Sequence, residues 1–355
     1  MCRKEFFMHQ YNYSFLDQGW LPARLINITG DIYTLQTLSL NRKEVYTDIF
    51  TELEAVAKVQ SVKNSNEIEG IITTDERVNA IVNGNSAPLN HNEQEIAGYR
   101  DALALVHTGY NHLDLRESDV RRLHATMMNI AGYSYGGMYK DSDNDIIEQD
   151  VYGRRTIRFH PVSAAETPEE MRQLVLAYQE ARDNPNINQL LLIPCVILDF
   201  LCIHPFRDGN GRISRLLSLL LLYKNGFDAG KYISFEEQIN LRKGSCYEAL
   251  KQSSQGWHEN RNDYVPYIME FLTTLYICYK ELDKRFAVIG SRKVTKQARV
   301  EATVLNSLTP ISKADIGHIL PDVSATTIEA VLGKMVREGL IHKIGSGKGT
   351  RYIPM

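Results

Sequence analysis

The stretch His204-Pro205-Phe206-Arg207-Asp208-Gly209-Asn210-Gly211-Arg212-Ile213-Ser214-Arg215, followed by the apolar run LLSLLLLY over 216–223, decides the fold of this chain. It comes directly after another apolar segment, 190–203, so it reads as helix, loop, helix. Gly209 and Gly211 have no side chain, which lets the loop take left-handed dihedrals and bring its amides close to a ligand. The next helix turns unpaired N–H groups and its positive dipole end toward the same place, which makes an anion site. Arg212 and Arg215 are three residues apart, so both guanidinium groups are expected on nearly one face, forked onto phosphate oxygens. Asp208 puts a hard carboxylate into that anion site, which is unfavourable unless a cation lies between; magnesium is the usual solution. His204 titrates near neutral pH and is the natural general base for a hydroxyl nucleophile.

Outward from this loop the chain is mainly helical. Val45, Ile49, Leu53, Val56 and Val59 recur at helical steps, as do Ile96, Leu103 and Val106. The pattern predicts helices over 42–64, 93–109, 118–130, 168–184, 190–203, 213–225, 244–255 and 264–288. Two short β-capable runs, 145–149 and 155–159, flank Val151, Tyr152 and Gly153 and predict a hairpin; 73–92 reads as a connecting loop.

With 355 residues, 43% of them hydrophobic and 23% charged, the chain has room for about two to three globular domains, which excludes a stapled miniprotein and wholesale disorder. The net charge of -3 excludes a globally basic polyanion binder, yet residues 296–355 carry +3, which leaves -6 for the rest. Cys2, Cys195, Cys202, Cys246 and Cys278 are odd in number and lack CxxC spacing, so neither a disulfide framework nor a thiolate zinc site is expected. The most apolar stretch, 190–203, contains Pro194 and Asp199 and is shorter than the ~20 residues of a membrane span. No signal peptide is visible, and a cytoplasmic location with no membrane partner is expected.

HPFRDGNGRISR resembles, without a mismatch, the HxFx(D/E)GNGRxxR signature of Fic-domain proteins, most of which transfer AMP from ATP to a hydroxyl of a target protein. By that resemblance His204 deprotonates a Ser, Thr or Tyr of the target, and Asp208 binds Mg2+. Gly209, Asn210, Gly211, Arg212 and Arg215 bind the ATP phosphates, and Phe206 anchors the loop. Relatives that depart from GNGR run other transfers, whereas this chain keeps every loop residue. The implied fold is mainly α: a Fic helical-bundle core with a small β-hairpin flap, plus a C-terminal segment.

Ser65-Asn66-Glu67-Ile68-Glu69-Gly70 closes the long amphipathic helix, with Ser65 and Glu69 on one face and Gly70 placed to end it. A carboxylate at a helix C-terminus faces the negative dipole end, so Glu69 calls for a cation. The hexapeptide also resembles the (S/T)xxxE(G/N) inhibitory motif of Fic proteins. The resemblance implies that Glu69 pairs with Arg215, blocks productive ATP binding and keeps basal activity low. In some relatives the same glutamate supports removal of AMP.

The hairpin falls where Fic proteins place a flap that pins the target segment, which implies docking through Arg155, Ile157 and Arg158. Period-two alternation predicts Ile157 and Phe159 inward, Thr156 and Arg158 outward. Cys246-Tyr247-Glu248-Ala249-Leu250 resembles the adenine-lining helix; relatives often have two adjacent tyrosines there, so only Tyr247 carries over. The resemblance covers about 41–272.

In 296–355 the order helix, helix, helix, strand, strand resembles a winged helix-turn-helix, and GSGKGT over 345–350 is its turn rather than a phosphate-binding loop. DNA or a second copy of the chain is the partner expected of this segment, with the Ser324 helix end in the major groove and Lys343, Lys348 and Arg351 on phosphates. The expected domains are therefore 1–92 with the inhibitory helix near 42–69, 93–289 as the Fic catalytic core, and 296–355. A rival from another class is a nucleotide-sensing, DNA-binding regulator that transfers nothing.

Overall fold

The computed structural model describes residues 9–149, 153–290, 296–305, 307 and 310–354. Cys2, Val151 and Tyr152 of the expected hairpin turn, linker residues 291–295 and Leu308 lie outside the described residues. The described residues within 1–34 and 57–278 form one compact unit, and those within 35–56 and 279–355 another. Residues 57–92 fall in the same unit as 93–278.

In chain order the helices before the hairpin are α1 (Phe15–Gln18), α2 (Ala23–Val45), α3 (Thr47–Ile68), α4 (Asp75–Val82), α5 (His91–Gly109) and α6 (Glu117–Asn129). The hairpin pairs β1 (Ile146–Gln149) with β2 (Arg155–Phe159), antiparallel. It is followed by α7 (Thr167–Asp183), α8 (Gln189–Ile203), α9 (Asn210–Lys224), α10 (Phe235–Leu241), α11 (Lys243–Ser254) and α12 (Val265–Gly290). The second unit adds α13 (Lys296–Leu305), α14 (Lys313–Ile319), α15 (Ala325–Arg337) and an antiparallel pair, β3 (Ile341–Ile344) and β4 (Arg351–Pro354). The order predicted for 296–355 is the order found, around a core that includes Val300, Val304, Ile316, Leu332, Met335 and Ile341.

The first unit is built on α8 and α9. Both are apolar nearly all round, and from Leu190 to Phe200 and from Ile213 to Tyr223 every side chain is buried, as expected of helices at the centre of a bundle. The Asn188 side chain accepts the Leu190 N–H at 2.9 Å and starts α8.

Two expectations are corrected. The helix predicted over 42–64 is interrupted: α2 ends at Val45, Tyr46 steps out with its ring 5.7 Å from Phe286, and α3 runs from Thr47 to Ile68. Most of α2 went unpredicted because Ile, Thr and Gly30 dilute its helical signal; burial of Leu25 and Ile32 decides it. The segment 73–92 contains α4, started by Thr74 accepting the Arg77 N–H at 3.4 Å and anchored by Val78 and Ile81 alone, too short for its period to show.

Candidate active site

Helix α8 runs into His204, whose φ of 52° is left-handed, and α9 starts from Gly209 at φ 80°. A methyl at Gly209 would stand 2.6 Å from the Cε atoms of both Met127 and Met128, so glycine is required there for space as well as for φ. Asn210 closes the loop: its Oδ1 accepts the Phe206 N–H at 2.9 Å and its Nδ2 donates to the Phe206 carbonyl at 2.7 Å. Phe206 is fully buried and stacks on His124 at 3.8 Å. The Nδ1 of His124 accepts the Gly137 N–H at 2.8 Å, so Nε2 carries the proton donated to the Asp208 carbonyl at 3.1 Å. Burial lowers the His124 pKa to about 4, with the charge of Arg212 pushing the same way and Asp208 opposing.

The ring of His204 lines a cavity of about 270 Å³ together with Gly211, Arg215, Glu69, Tyr247 and Arg158. Its Nδ1 donates to the Leu201 carbonyl at 3.4 Å, which leaves Nε2 as the proton acceptor. Removal from bulk water lowers the His204 pKa to about 4; Lys140 and Arg158 push the same way, while the Leu201 carbonyl and Glu69 oppose. The imidazole is therefore neutral near pH 7. Lys140 is itself buried, donates to Asn144 Oδ1 at 2.8 Å and the Ile203 carbonyl at 3.2 Å, and is pushed down to about 8 by desolvation.

The arginines of the loop diverge. Arg212 is almost wholly buried and donates through Nη1 to Glu95 Oε2 at 2.6 Å and through Nη2 to Asp208 Oδ2 at 3.3 Å. Arg215 turns the other way: Nε donates to Ser65 Oγ at 2.9 Å, and Nη2 to the Ser65 carbonyl at 2.9 Å and Glu69 Oε1 at 2.8 Å. Three residues of helix separate the two side chains by about 60° around the axis, enough here to send them to different acids. The expected shared face is corrected accordingly, and Arg212 serves to hold Glu95 and Asp208. Asn210, Arg212 and Asp208 lie outside the cavity lining.

Helix α3 ends as its sequence implied. Gly70 has φ 81°, its N–H reaches the Glu67 carbonyl at 3.0 Å, and Ile71 N–H reaches the Asn66 carbonyl at 3.0 Å, the five-to-two and six-to-one bonds, in that order, of a glycine-terminated helix. Glu69 is thereby set against Gly211, where a Cβ would collide with its Oε1. Burial works to raise the Glu69 carboxyl, but the charge and hydrogen bond of Arg215, with Arg212 and Lys243 behind, win and hold it below the usual carboxylate range. Lys243 also donates to the Ile68 carbonyl at 2.8 Å, answering the negative helix end.

Asp208 has a half-exposed carboxylate, and among the described residues no group of His, Cys, Asp or Glu forms a self-contained metal site. One accessible hard oxygen donor fits a magnesium ion that brings phosphate oxygens and water for its remaining ligands.

The flap expectation is corrected by register. Ile147 faces Ile157, but Ile146 faces Phe159, so Arg158 is an extra, bulged residue of β2. The bulge ends the alternation: Ile157 is 51% exposed, and Arg158 and Phe159 both line the cavity. Arg155 is exposed at the turn end, and Lys251 ties the hairpin to α11 through Glu148 at 3.0 Å. Tyr247 lines the cavity beside Cys246. Sequence reasoning missed Glu95, His124 and Lys140, which lie far from the loop in the chain and carry no local motif.

In the second unit, Arg299 pairs with Asp322 at 2.6 Å, Lys313 with Glu329 at 3.1 Å, Lys334 with Glu301 at 3.6 Å and Arg351 with Asp315 at 3.5 Å. The Ser324 end of α15 carries Glu329 and no cation before Lys334. Cations neutralised in this way give little support to the DNA expectation. No helix among the described residues is long and apolar enough to cross a membrane.

Residues 114–222, which include the loop and the hairpin, match the Fic/DOC family. A Fido domain-containing protein of Dictyostelium discoideum is 34% identical over 86 residues, 24% of this chain and 58% of that protein, so the match spans just over half of that relative. A Fic family protein from Desulfovibrio desulfuricans G20 superposes with a TM-score of 0.62 at 20% identity, covering 95% of this chain and 97% of that one. A Fic domain-containing signalling protein from Bacteroides thetaiotaomicron VPI-5482 gives 0.58 at 21% identity, covering 73% and 96%. The chain has the helical Fic fold. Proteins of that family generally carry transferase activity, use ATP and modify target proteins.

Proposed function

We propose that this protein is a protein adenylyltransferase restrained by its own Glu69. The observation that carries the reading is that one cavity collects a neutral His204, Gly211 of the loop, Arg215 and Tyr247, with Glu69 holding the arginine. In the reaction, a Ser, Thr or Tyr hydroxyl of the target gives its proton to His204 Nε2 as its oxygen bonds to the α-phosphorus of ATP. The bond from that phosphorus to the bridging oxygen breaks and pyrophosphate leaves. The N–H groups at the start of α9 and Arg215 face the charge that develops on the phosphates, and positioning and preorganised charge supply the rate. Asp208 would hold magnesium, which neutralises phosphate charge when bound. Tyr247 and the apolar wall suit the base, and the hairpin lines up the target segment.

While Glu69 occupies Arg215, that arginine cannot serve a phosphate, so basal transfer is low. The test is incubation of the Glu69→Gly chain with ATP labelled either at the α-phosphate or at the γ-phosphate. Protein-bound α-label and a mass increase of one AMP, both lost in Glu69→Gly/His204→Ala, support the reading. Incorporation of γ-label, or α-label that survives His204→Ala, refutes it.

A further inference from the structure

The bulged arginine of the hairpin has no partner for the group it buries. Arg158 Nη1 is shielded from solvent and makes no hydrogen bond, and none of the ion pairs among the described residues involves this side chain. A buried guanidinium N–H without an acceptor is costly. The surrounding wall offers little relief: Ile146, Ile147, Leu201 and Cys202 are apolar or nearly so. The cavity's carboxylates are already engaged, Glu69 by Arg215 at 2.8 Å and Glu270 by Arg242 at 2.8 Å. Arg158 lines the cavity together with His204, Cys202 and Tyr247, and its positive charge acts on all three. The bulge lets the consecutive residues Arg158 and Phe159 both line the cavity, which a regular ladder does not allow.

We propose that Arg158 is a phosphate-binding residue of this pocket, gripping a non-bridging phosphate oxygen of the nucleotide from the hairpin side while the 209–215 loop holds the phosphates from the other. The inference rests on reading the pocket as a nucleotide site. An anionic oxygen supplies both the missing acceptor and the missing counter-charge, which a base edge or a peptide carbonyl would not. The same contact ties nucleotide binding to the hairpin.

The test is calorimetric titration of the full chain with ATP and, separately, with adenosine, in the Glu69→Gly parent and with Arg158→Ala or Arg158→Lys added. Arg158→Ala is expected to weaken ATP by about 10- to 100-fold and adenosine by less than about two-fold, with Arg158→Lys recovering part of the loss. Equal weakening of ATP and adenosine would show that the side chain only packs the pocket wall and would overturn the proposal. Unchanged ATP binding with reduced AMP transfer would place Arg158 on the target protein and overturn it as well. The transferase reading fails separately: a parent that binds ATP more tightly than adenosine but transfers no AMP loses that reading and leaves Arg158 to be judged by its own titration. A parent that binds neither overturns both.

Discussion

Replacing Glu69 with glycine removes a carboxylate whose Oε1 accepts from Arg215 Nη2 at 2.8 Å and stands against Gly211. The backbone tolerates the change, because Glu69 lies just beyond the last residue of α3, Ile68. Arg215 keeps its two acceptors on Ser65, both at 2.9 Å, so the guanidinium stays in place with its remaining donors free. Hydrogen bonds to charged groups contribute about 1.5–3 kcal/mol, and the 32% exposure of the Glu69 side chain argues for the lower half of that range. At about 1.4 kcal/mol per factor of ten, the expected gain in ATP affinity or transfer rate is about 10- to 50-fold. The unliganded variant pays for it by leaving Arg215, only 7% exposed, without its counter-charge, so its melting temperature falls. ATP should then raise the melting temperature of Glu69→Gly more than that of the parent chain. Parallel assays of α-labelled self-modification and ATP-dependent melting read both effects. Equal labelling and equal ATP shifts in the two chains would refute the claim that this ion pair restrains the site.

The acid side of the pH–rate profile provides a second check. The base form of His204 persists down to its pKa of about 4, and loss of Glu69 removes a group that raises it, so transfer by Glu69→Gly should stay level from pH 7 to about pH 5; a limb centred near 6.5 would contradict this. Asn210→Ala strips the buried Phe206 N–H and carbonyl of partners at 2.9 and 2.7 Å, and urea denaturation should show a loss of about 2 kcal/mol. Gly209→Ala meets the Met127 and Met128 methyls at φ 80° and should cost about 1–2 kcal/mol in the same assay. Asp199 accepts from Tyr13 and Trp257 at 2.7 Å and from Tyr264 at 2.9 Å, and burial raises it to about 7 despite those donors. A folded pKa above the unfolded one contributes stability that is fully present below about 3.9 and is lost as pH rises through 7. Asp199→Asn should therefore flatten the decline in melting temperature between pH 5 and about 8; an unchanged slope would count against it.

The sequence by itself determined what is local. Gly209 and Gly211 beside His204, Asp208 and Arg215 specify an anion loop because backbone freedom and side-chain chemistry are encoded within a dozen residues. The helical period of 190–203 and 213–225 placed that loop between buried helices, and Gly70 ended α3 in the left-handed turn its position implied. The Glu69–Arg215 pair, 146 residues apart, was legible because each partner sits in a short motif of its own. Contacts without such motifs were not legible. Glu95 takes Arg212 across 117 residues, and His124 holds the Asp208 carbonyl across 84. The tertiary structure alone decided that the two loop arginines part company, because helix rotation sends each to whichever acid has been folded beside it. It also decided that Arg158 and Phe159 both line the cavity: alternation assumes a regular ladder, and one bulged residue, fixed by how β2 pairs with β1 rather than by its own identity, lets two consecutive residues share a side.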